Sequence, residues 1–252
     1  MKQLANDLLL ALSYFTRLPV DRWVDYEAAA LDRAMGWFPL AGWLVGLAGA
    51  ATLYLGCLLF PLSVAVLLAM IVMVLATGAF HEDGLADTSD GFGPVGDREK
   101  ALQVMKDSRL GTYGVLGLVL VLALKYLALT SLGDAQLAAL ALLAAQPLSR
   151  MLATFLVPLL PQVSGANSAT RAVARRVALG SLITAVLLAA PALLILPNLM
   201  LSAVALAAVI VAVFAFACRA RFGGYTGDIL GAAQQLAETA ILLAVLALHT
   251  SH

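Results

Sequence analysis

Residues 199–217 read LMLSAVALAAVIVAVFAFA and contain no charged side chain. The hydrocarbon core of a bilayer is about 30 Å thick, so a helix needs about 20 mostly apolar residues to cross it, and this stretch meets that requirement. Similar runs lie at 36–60, 62–80, 111–131, 136–159, 178–196 and 230–249. We therefore predict an all-α fold, a polytopic membrane helix bundle with about seven transmembrane helices.

The overall composition indicates the same class. Of the 252 residues, 62% are hydrophobic and 12% are charged, whereas a soluble domain carries about 25% charged residues. No linker rich in Pro, Gly or Ser divides the chain, so residues 1–252 are predicted to form a single integral membrane domain. The net charge is zero, which gives no argument for a nucleic-acid partner. Cys57 and Cys218 lie in apolar runs and indicate neither a disulfide framework nor a zinc site.

The N-terminal residues 1–19 show a different pattern. Leu4, Leu8, Leu12 and Phe15 recur every three or four positions, with polar residues between them. This spacing predicts an N-terminal amphipathic helix that lies in the membrane interface, with a short spanning helix as the alternative.

Twelve basic residues indicate on which side of the membrane the polar segments lie. They fall in four segments, 17–35, 81–109, 160–177 and 218–229, and the short turns between paired spans contain none. Alternation of seven spans puts all four segments on one side. The excess of Lys and Arg there assigns that side to the cytoplasm.

Residues 81–91, here called the acidic segment, read HEDGLADTSDG and directly follow a predicted span. Asp83, Asp87 and Asp90 are spaced i, i+4, i+7, so on a helix they would project from one face and repel one another. A divalent cation removes that conflict, and oxygen ligands suit Mg²⁺ or Mn²⁺. We predict a metal site here, with Glu82 as a further ligand; a solvated acidic loop is the alternative.

Two more polar segments adjoin predicted spans. The basic segment, residues 105–114, reads MKDSRLGTYG, and its Lys106 and Arg109 can bind phosphate oxygens. Asp107 could add a metal ligand or orient Arg109, and a helix-capping flank is the alternative for the whole segment.

The glycine-rich segment, residues 223–232, reads GGYTGDILGA. Glycines before a helix N-terminus offer backbone N–H groups to an anion, and Asp228 could join the metal site. The anion-binding candidates are Gly223, Gly224, Thr226 and Gly227. An ordinary turn between two helices is the alternative.

Four other polar residues lie in or beside apolar runs. His81 is a candidate general base, metal ligand or hydrogen-bonding residue at the interface. Lys125, Arg150 and Glu238 fall within predicted spans, where a charge costs about 2.5–3.5 kcal/mol, so we expect them to face the bundle interior. A structural ion pair and a substrate contact both remain open for them.

The three segments, together with FTRLP at 15–19 and FPLAG at 38–42, resemble the cobalamin synthase (adenosylcobinamide-GDP ribazoletransferase) family over nearly the whole chain. The resemblance implies that adenosylcobinamide-GDP and α-ribazole, or α-ribazole 5′-phosphate, are joined to give adenosylcobalamin, or its phosphate, and GMP. It also implies Mg²⁺ as the cofactor and the inner membrane of a bacterium or archaeon as the location.

For this reaction the sequence provides three sets of candidate residues. The catalytic candidates are His81, Asp83, Asp87, Lys106 and Arg109. The metal candidates are Glu82, Asp83, Asp87, Asp90, Asp107 and Asp228, and the glycine-rich segment supplies the cofactor-binding set. The expected partners are the two substrates and the lipid bilayer, without nucleic acid and with a homo-oligomer as an open alternative.

Two other functions are weighed against this one. The acid spacing is similar to that of the CDP-alcohol phosphotransferases, but Asp87 stands where that family has Arg. An ion transporter would also use intramembrane acids, yet the acids here cluster at the end of a span, whereas transport sites lie near mid-membrane.

Overall fold

The computed structural model describes residues 2–26, 28–93, 95–107, 109–163 and 178–250. Within them the secondary structure is helical, apart from an isolated bridge between Gln162 and Tyr225. The α-helices are α1 (Lys2–Phe15), α2 (Ala28–Ala34), α3 (Phe38–Gly56), α4 (Leu62–Thr77), α5 (Phe80–Phe92), α6 (Arg98–Val104), α7 (Thr112–Ser131), α8 (Ala135–Leu159), α9 (Leu179–Ala189), α10 (Pro197–Phe222) and α11 (Gly227–Thr250). The predicted all-α class is confirmed. Three bases of the topology argument lie outside the described residues: Arg171, Arg175 and Arg176.

The number of spanning helices is smaller than predicted. Five stretches among the described residues are long and apolar enough to cross a membrane: Ala30–Gly56, Thr112–Ser131, Ala135–Leu159, Pro197–Phe222 and Gly227–Thr250. The number rises to six if α4 and α5 are taken as one broken span, compared with the about seven predicted for the whole chain.

Two backbone features account for the difference. α4 ends where Gly78 and Ala79 adopt positive φ values of 66° and 59°, and α5 then runs at 89° to it. With 16 residues, α4 is about 24 Å long, shorter than the ~30 Å hydrocarbon core. In the predicted span 178–196, Pro191 lacks the N–H that would continue α9, and residues 190–194 form a tighter 3-10 helix.

α5 is not a spanning helix on its own. Its 13 residues extend for about 20 Å and include four acids. A polar helix of this length is therefore attached at a sharp angle to an apolar one.

The centre of the bundle is formed by α8 and α11, which are 78% buried over their most apolar stretches, whereas α7 and α10 are only 28% buried. α3 packs closely against α8 through small residues. A Cβ atom at Gly42 would lie 2.7 Å from the backbone oxygen of Gln146, and one at Gly46 would lie 3.1 Å from Gln146 Cβ. Both glycines therefore allow the backbones to approach, as small residues do in membrane bundles.

The N-terminal segment forms a helix as predicted. In α1, Leu10 and Phe15 are buried against the rest of the protein, whereas Leu4, one of the four apolar residues of the predicted pattern, is exposed, so the buried face coincides with that pattern only in part. Asp7 of α1 forms an ion pair of 2.9 Å with Arg33 of α2. The location of α1 in the membrane interface stays a prediction.

The contact of α3 with α8 predicts that Gly42→Val destabilises the protein by about 1–3 kcal/mol, because the added atoms would overlap the α8 backbone. Denaturant unfolding in detergent, followed by circular dichroism, measures this change. Gly180→Val is the control, because a Cβ atom at Gly180 meets no atom of the described residues within 4 Å. Equal effects of the two substitutions would contradict the close α3–α8 contact.

Candidate active site

The turn before α5 determines where the acidic segment points. The left-handed Gly78 lies against the guanidinium group of Arg17, because a Cβ atom there would be 2.0 Å from Arg17 Nε. The backbone N–H of Arg17 also donates to the carbonyl oxygen of Ala76 at 2.7 Å. The chain after α1 therefore covers the turn and fixes the start of α5.

The acidic and glycine-rich segments meet where α5 contacts the beginning of α11. A Cβ atom at Gly84 would lie 2.7 Å from the backbone oxygen of Asp228, so the two helices touch through this glycine. Asp83 is exposed and Asp87 is half-buried. Burial and, after it, the negative charges of Asp83, Asp228 and Asp90 together raise the pKa of Asp87 to about 7. Acids from two segments distant in sequence thus repel one another at one place.

Asp90 connects the acidic segment to the basic segment. Its two carboxylate oxygens accept hydrogen bonds from the backbone N–H groups of Gly111 and Gly114, at 2.7 and 2.8 Å. A side chain on either glycine would collide with this carboxylate. Asp90 therefore satisfies the N–H groups that the first turn of α7 leaves unpaired. A role for Asp90 as a metal ligand stays a prediction. Both of its carboxylate oxygens already accept the hydrogen bonds from Gly111 and Gly114.

The acidic side chains of the acidic and glycine-rich segments are candidate ligands for a divalent cation. In the part of the chain that the structure describes, no three His, Cys, Asp or Glu side chains are already arranged to hold a metal ion. Mg²⁺, however, usually takes one or two protein carboxylates and completes its shell with water and substrate phosphate. One or two of the acids Asp83, Asp87 and Asp228 would fit that pattern, because a cation would relieve the repulsion that, together with burial, raises the pKa of Asp87.

The basic segment presents its charges at the surface. Arg109 donates two hydrogen bonds from Nε and one from Nη2 to the carboxylate of Asp107, the shortest at 2.6 Å. The hydrogen bond from the Arg109 side chain lowers the pKa of Asp107 to about 2. Asp107 thus orients Arg109, one of the two predicted roles, and Lys106 is exposed beside them.

The glycine-rich segment is held by backbone contacts. Gly223 ends α10 with a positive φ of 80°, and a Cβ atom at Gly224 would lie 1.9 Å from the carbonyl oxygen of Pro161. Thr226 Oγ1 accepts from the N–H of Ile229 and donates to Asp228, at 3.3 and 3.2 Å, so Thr226 caps α11. Anion binding by these residues stays a prediction.

His81 and Glu82 point into the protein, away from Asp83. His81 is 1% exposed and stacks on Phe38 with 5.5 Å between ring centroids. Burial lowers its pKa well below the usual value, and the positive charges of Arg150 and Lys125 lower it further. Its imidazole is therefore neutral at physiological pH.

The interior residue that contacts Glu82 was missed by the sequence analysis. Gln235 Nε2 donates to Glu82 at 3.0 Å, and Gln235 Oε1 accepts from Lys125 Nζ at 2.5 Å. Lys125 also forms a buried ion pair of 3.0 Å with Glu238. The expectation that Lys125 and Glu238 face the interior is thus met. The sequence did contain a signal for this network: the amide side chains at 234 and 235 lie one helical turn before Glu238 in an apolar run.

Arg150 is likewise buried, at 1% exposure. It donates from Nη1 to the side-chain oxygen of Gln146 at 2.5 Å and lies 5.4 Å from the ring centre of Phe38. Its partners are thus an amide and an aromatic ring, and not a directly contacting carboxylate among the residues described.

The Asp90 contact predicts that Asp90→Ala lowers the free energy of unfolding by about 2–4 kcal/mol, because it leaves two backbone N–H groups without an acceptor. Denaturant unfolding in detergent measures the loss. The control is Glu99→Ala, an exposed acid in the first turn of α6, with an expected change within about 0.5 kcal/mol. A wild-type unfolding curve for Asp90→Ala would show that this carboxylate does not hold α7.

Comparison with known proteins shows to which family the chain belongs. Residues 7–246 match the family model described as cobalamin-5-phosphate synthase. The chain is 46% identical to the adenosylcobinamide-GDP ribazoletransferase of Leptothrix cholodnii, with 96% of each chain covered. It is 43% identical to the protein of that name from Shewanella amazonensis, over 95% of this chain and 94% of that one. No solved structure matches. On both the family match and these identities, the chain belongs to the cobalamin-5-phosphate synthase family.

Proposed function

We propose that this chain is an adenosylcobinamide-GDP ribazoletransferase that joins adenosylcobinamide-GDP and α-ribazole, or α-ribazole 5′-phosphate, with release of GMP. The observation that carries the proposal is the meeting of three polar segments around α5. Asp90 links the acidic segment to the basic one, and Gly84 brings it against Asp228 of the glycine-rich one. Family membership and the names of the relatives support the substrates.

The reaction is a transfer at phosphorus. A ribose hydroxyl oxygen of α-ribazole bonds to the phosphorus attached to cobinamide, and the bond from that phosphorus to the bridging oxygen of the pyrophosphate breaks. GMP leaves with this oxygen, and the hydroxyl proton goes to a carboxylate. Catalysis of such a transfer consists mainly of positioning and charge neutralisation.

The acidic side chains provide the metal ligands and the proton acceptor that this transfer needs. Asp83, Asp87 and Asp228 would hold Mg²⁺, which when bound neutralises charge on the pyrophosphate and on the departing phosphate. Because neighbouring carboxylates titrate together, the proton acceptor is the cluster and not one named residue. Lys106 and Arg109 would bind the remaining phosphate oxygens, and the carboxylate of Asp107 orients the guanidinium of Arg109.

We further propose that these segments face the cytoplasm and that the protein lies in the inner membrane. The contacts among the three segments support a common side for them, since they are neighbours at one end of α7 and α11. The excess of Lys and Arg in the polar segments favours the cytoplasmic side.

The central prediction is that purified protein in detergent releases GMP from adenosylcobinamide-GDP only when α-ribazole and Mg²⁺ are both present. Asp83→Asn and Asp87→Asn should each lower kcat by about 100-fold or more. Each substitution removes a carboxylate charge that would hold the Mg²⁺ on which the transfer at phosphorus depends. Glu99→Gln, an exposed acid outside the cluster, should stay within about twofold. Full turnover in EDTA would exclude a requirement for Mg²⁺. Release of CMP from a CDP-alcohol would instead favour a CDP-alcohol phosphotransferase.

The pKa of Asp87 predicts how metal dependence changes with pH. Below about pH 7 this carboxyl binds a proton, and the proton competes with the cation. The Mg²⁺ concentration that gives half-maximal activity should therefore rise as the pH falls through 7. Residual activity of Asp87→Asn should show a weaker dependence. A Mg²⁺ requirement that is unchanged across this range would contradict the assignment of Asp87.

A further inference from the structure

One face of α11 follows α5 from the candidate active site into the interior of the bundle. Asp228, Gly231 and Gln235 are spaced i, i+3 and i+7, so they lie on this face. Gly84 touches the backbone of Asp228, and a Cβ atom at Gly231 would lie 3.4 Å from backbone atoms at the start of α5. Gln235 contacts Glu82 at the inner end. An acid of the site and an interior amide are thus the two ends of one contact between the helices.

Glu82 turns inwards at this contact, whereas its neighbour Asp83 is exposed. Glu82 Oε1 accepts a hydrogen bond of 3.0 Å from Gln235 Nε2, and Glu82 Oε2 is buried. Successive residues of a helix are rotated by about 100° around its axis. The carboxylate of Glu82 is therefore engaged inside the bundle, on a different side of α5 from that of Asp83.

Gln235 joins three helices through one amide group, and it is only 2% exposed. Its Oε1 accepts from Lys125 Nζ of α7 at 2.5 Å, and its Nε2 donates to Glu82 of α5 at 3.0 Å. The same Nε2 donates to Gln234 Oε1, also at 3.0 Å. An ammonium group only donates and a carboxylate only accepts, so the side chain between Lys125 and Glu82 must offer both an acceptor and a donor. An amide meets both requirements.

The directions of the acids on α5 depend on how this helix is rotated about its axis. Gly84 sets how closely α5 approaches α11. The side chain of Glu82 fixes the rotation near the start of the helix, and that of Asp90 fixes it near the end. A rotation or shift of α5 would move Asp83 and Asp87 relative to α11, and a displacement of about 1 Å in an active site can lower the rate about 100-fold.

We propose that Gln235 is a positioning residue for the reaction, which through Glu82 holds the acids of α5 at the distance from Asp228 that a shared cation requires. Glu82 is then part of this hydrogen-bonded arrangement and not a metal ligand. The inference rests on the proposed function, which gives these acids a cation to share.

Exchange of the two side chains distinguishes positioning from metal ligation. Gln235→Glu alone sets two carboxylates against each other, so the Kd for Mn²⁺, measured by electron paramagnetic resonance of the free ion in detergent, should rise about tenfold or more. Gln235→Glu combined with Glu82→Gln restores a donor and an acceptor and keeps the net charge of the network. The Kd should then return to within about threefold of wild type, since only the hydrogen bond to Gln234 stays lost.

A metal ligand at position 82 gives the opposite result. The combined variant would then lack that ligand as well, and it would bind Mn²⁺ no better than Gln235→Glu alone. Either this result or a wild-type Kd for Gln235→Glu alone would overturn the proposal.

Gln146→Leu is the matched control for a loss of folding stability. Gln146 is also a buried amide that accepts a hydrogen bond of 2.5 Å from a buried cation, in this case Arg150, and it lies on α8 against α3. Gln235→Leu and Gln146→Leu should both lower the denaturant midpoint, while only Gln235→Leu raises the Kd of the folded protein for Mn²⁺. Equal rises would assign the effect to a general loosening of the bundle and contradict a positioning role.

Release of GMP by the same variants separates this inference from the proposed function. The Mg²⁺ concentration for half-maximal activity should follow the order of the Mn²⁺ Kd values. A wild-type protein that binds Mn²⁺ and shows the exchange pattern but releases no GMP would contradict the proposed function and leave the positioning role intact. A wild-type protein that binds no Mn²⁺ would overturn the positioning role, because Gln235 would then have no metal site to position.

Discussion

The buried ion pair between Lys125 and Glu238 is the interaction on which the arrangement of the active site depends. A buried charge in a membrane bundle is costly, and an ion pair with hydrogen bonds offsets that cost; here the pair is 3.0 Å long with both residues at most 3% exposed. Gln235 extends the network from Lys125 to Glu82. The network links three helices. α5 contains the acidic segment, α7 begins in the basic segment, and α11 begins in the glycine-rich segment. One polar network in the interior thus sets the relative positions of the three segments at the surface.

Glycine contacts then determine how closely the segments approach. Gly84 allows the backbone of α5 to touch Asp228, and Gly111 and Gly114 leave room for the carboxylate of Asp90. The close approach has an electrostatic consequence, since the like charges of Asp83, Asp228 and Asp90 add to the burial that raises the pKa of Asp87 to about 7. Repulsion of this kind favours binding of a cation together with an anionic substrate.

Local patterns in the sequence predicted much of the fold, while contacts between distant residues were not predictable. Apolar runs predicted the spanning helices, and the acid spacing was compatible with the helix that α5 forms without excluding a loop. The turn at Gly78 and Ala79 was missed, because positive φ at an alanine is set by its surroundings and not by its own preference. Asp83 and Asp90 look equivalent in the sequence, yet only Asp90 meets N–H groups that lie more than 20 residues further along the chain.

The sharp turn before α5 explains how an apolar bundle can present so polar a helix. α5 bears four acids, and at about 2.5–3.5 kcal/mol each on insertion scales they would together cost on the order of 10 kcal/mol at mid-membrane. A straight continuation of α4 would bring α5 into line with an apolar helix and favour that outcome. The change of direction by 89° at Gly78 and Ala79 separates the two helices, so α4 can pack in an apolar environment while α5 stays with the polar segments. The positive φ of Ala79 thus has a structural consequence, because a straight continuation of α4 would place the carboxylates of α5 in lipid.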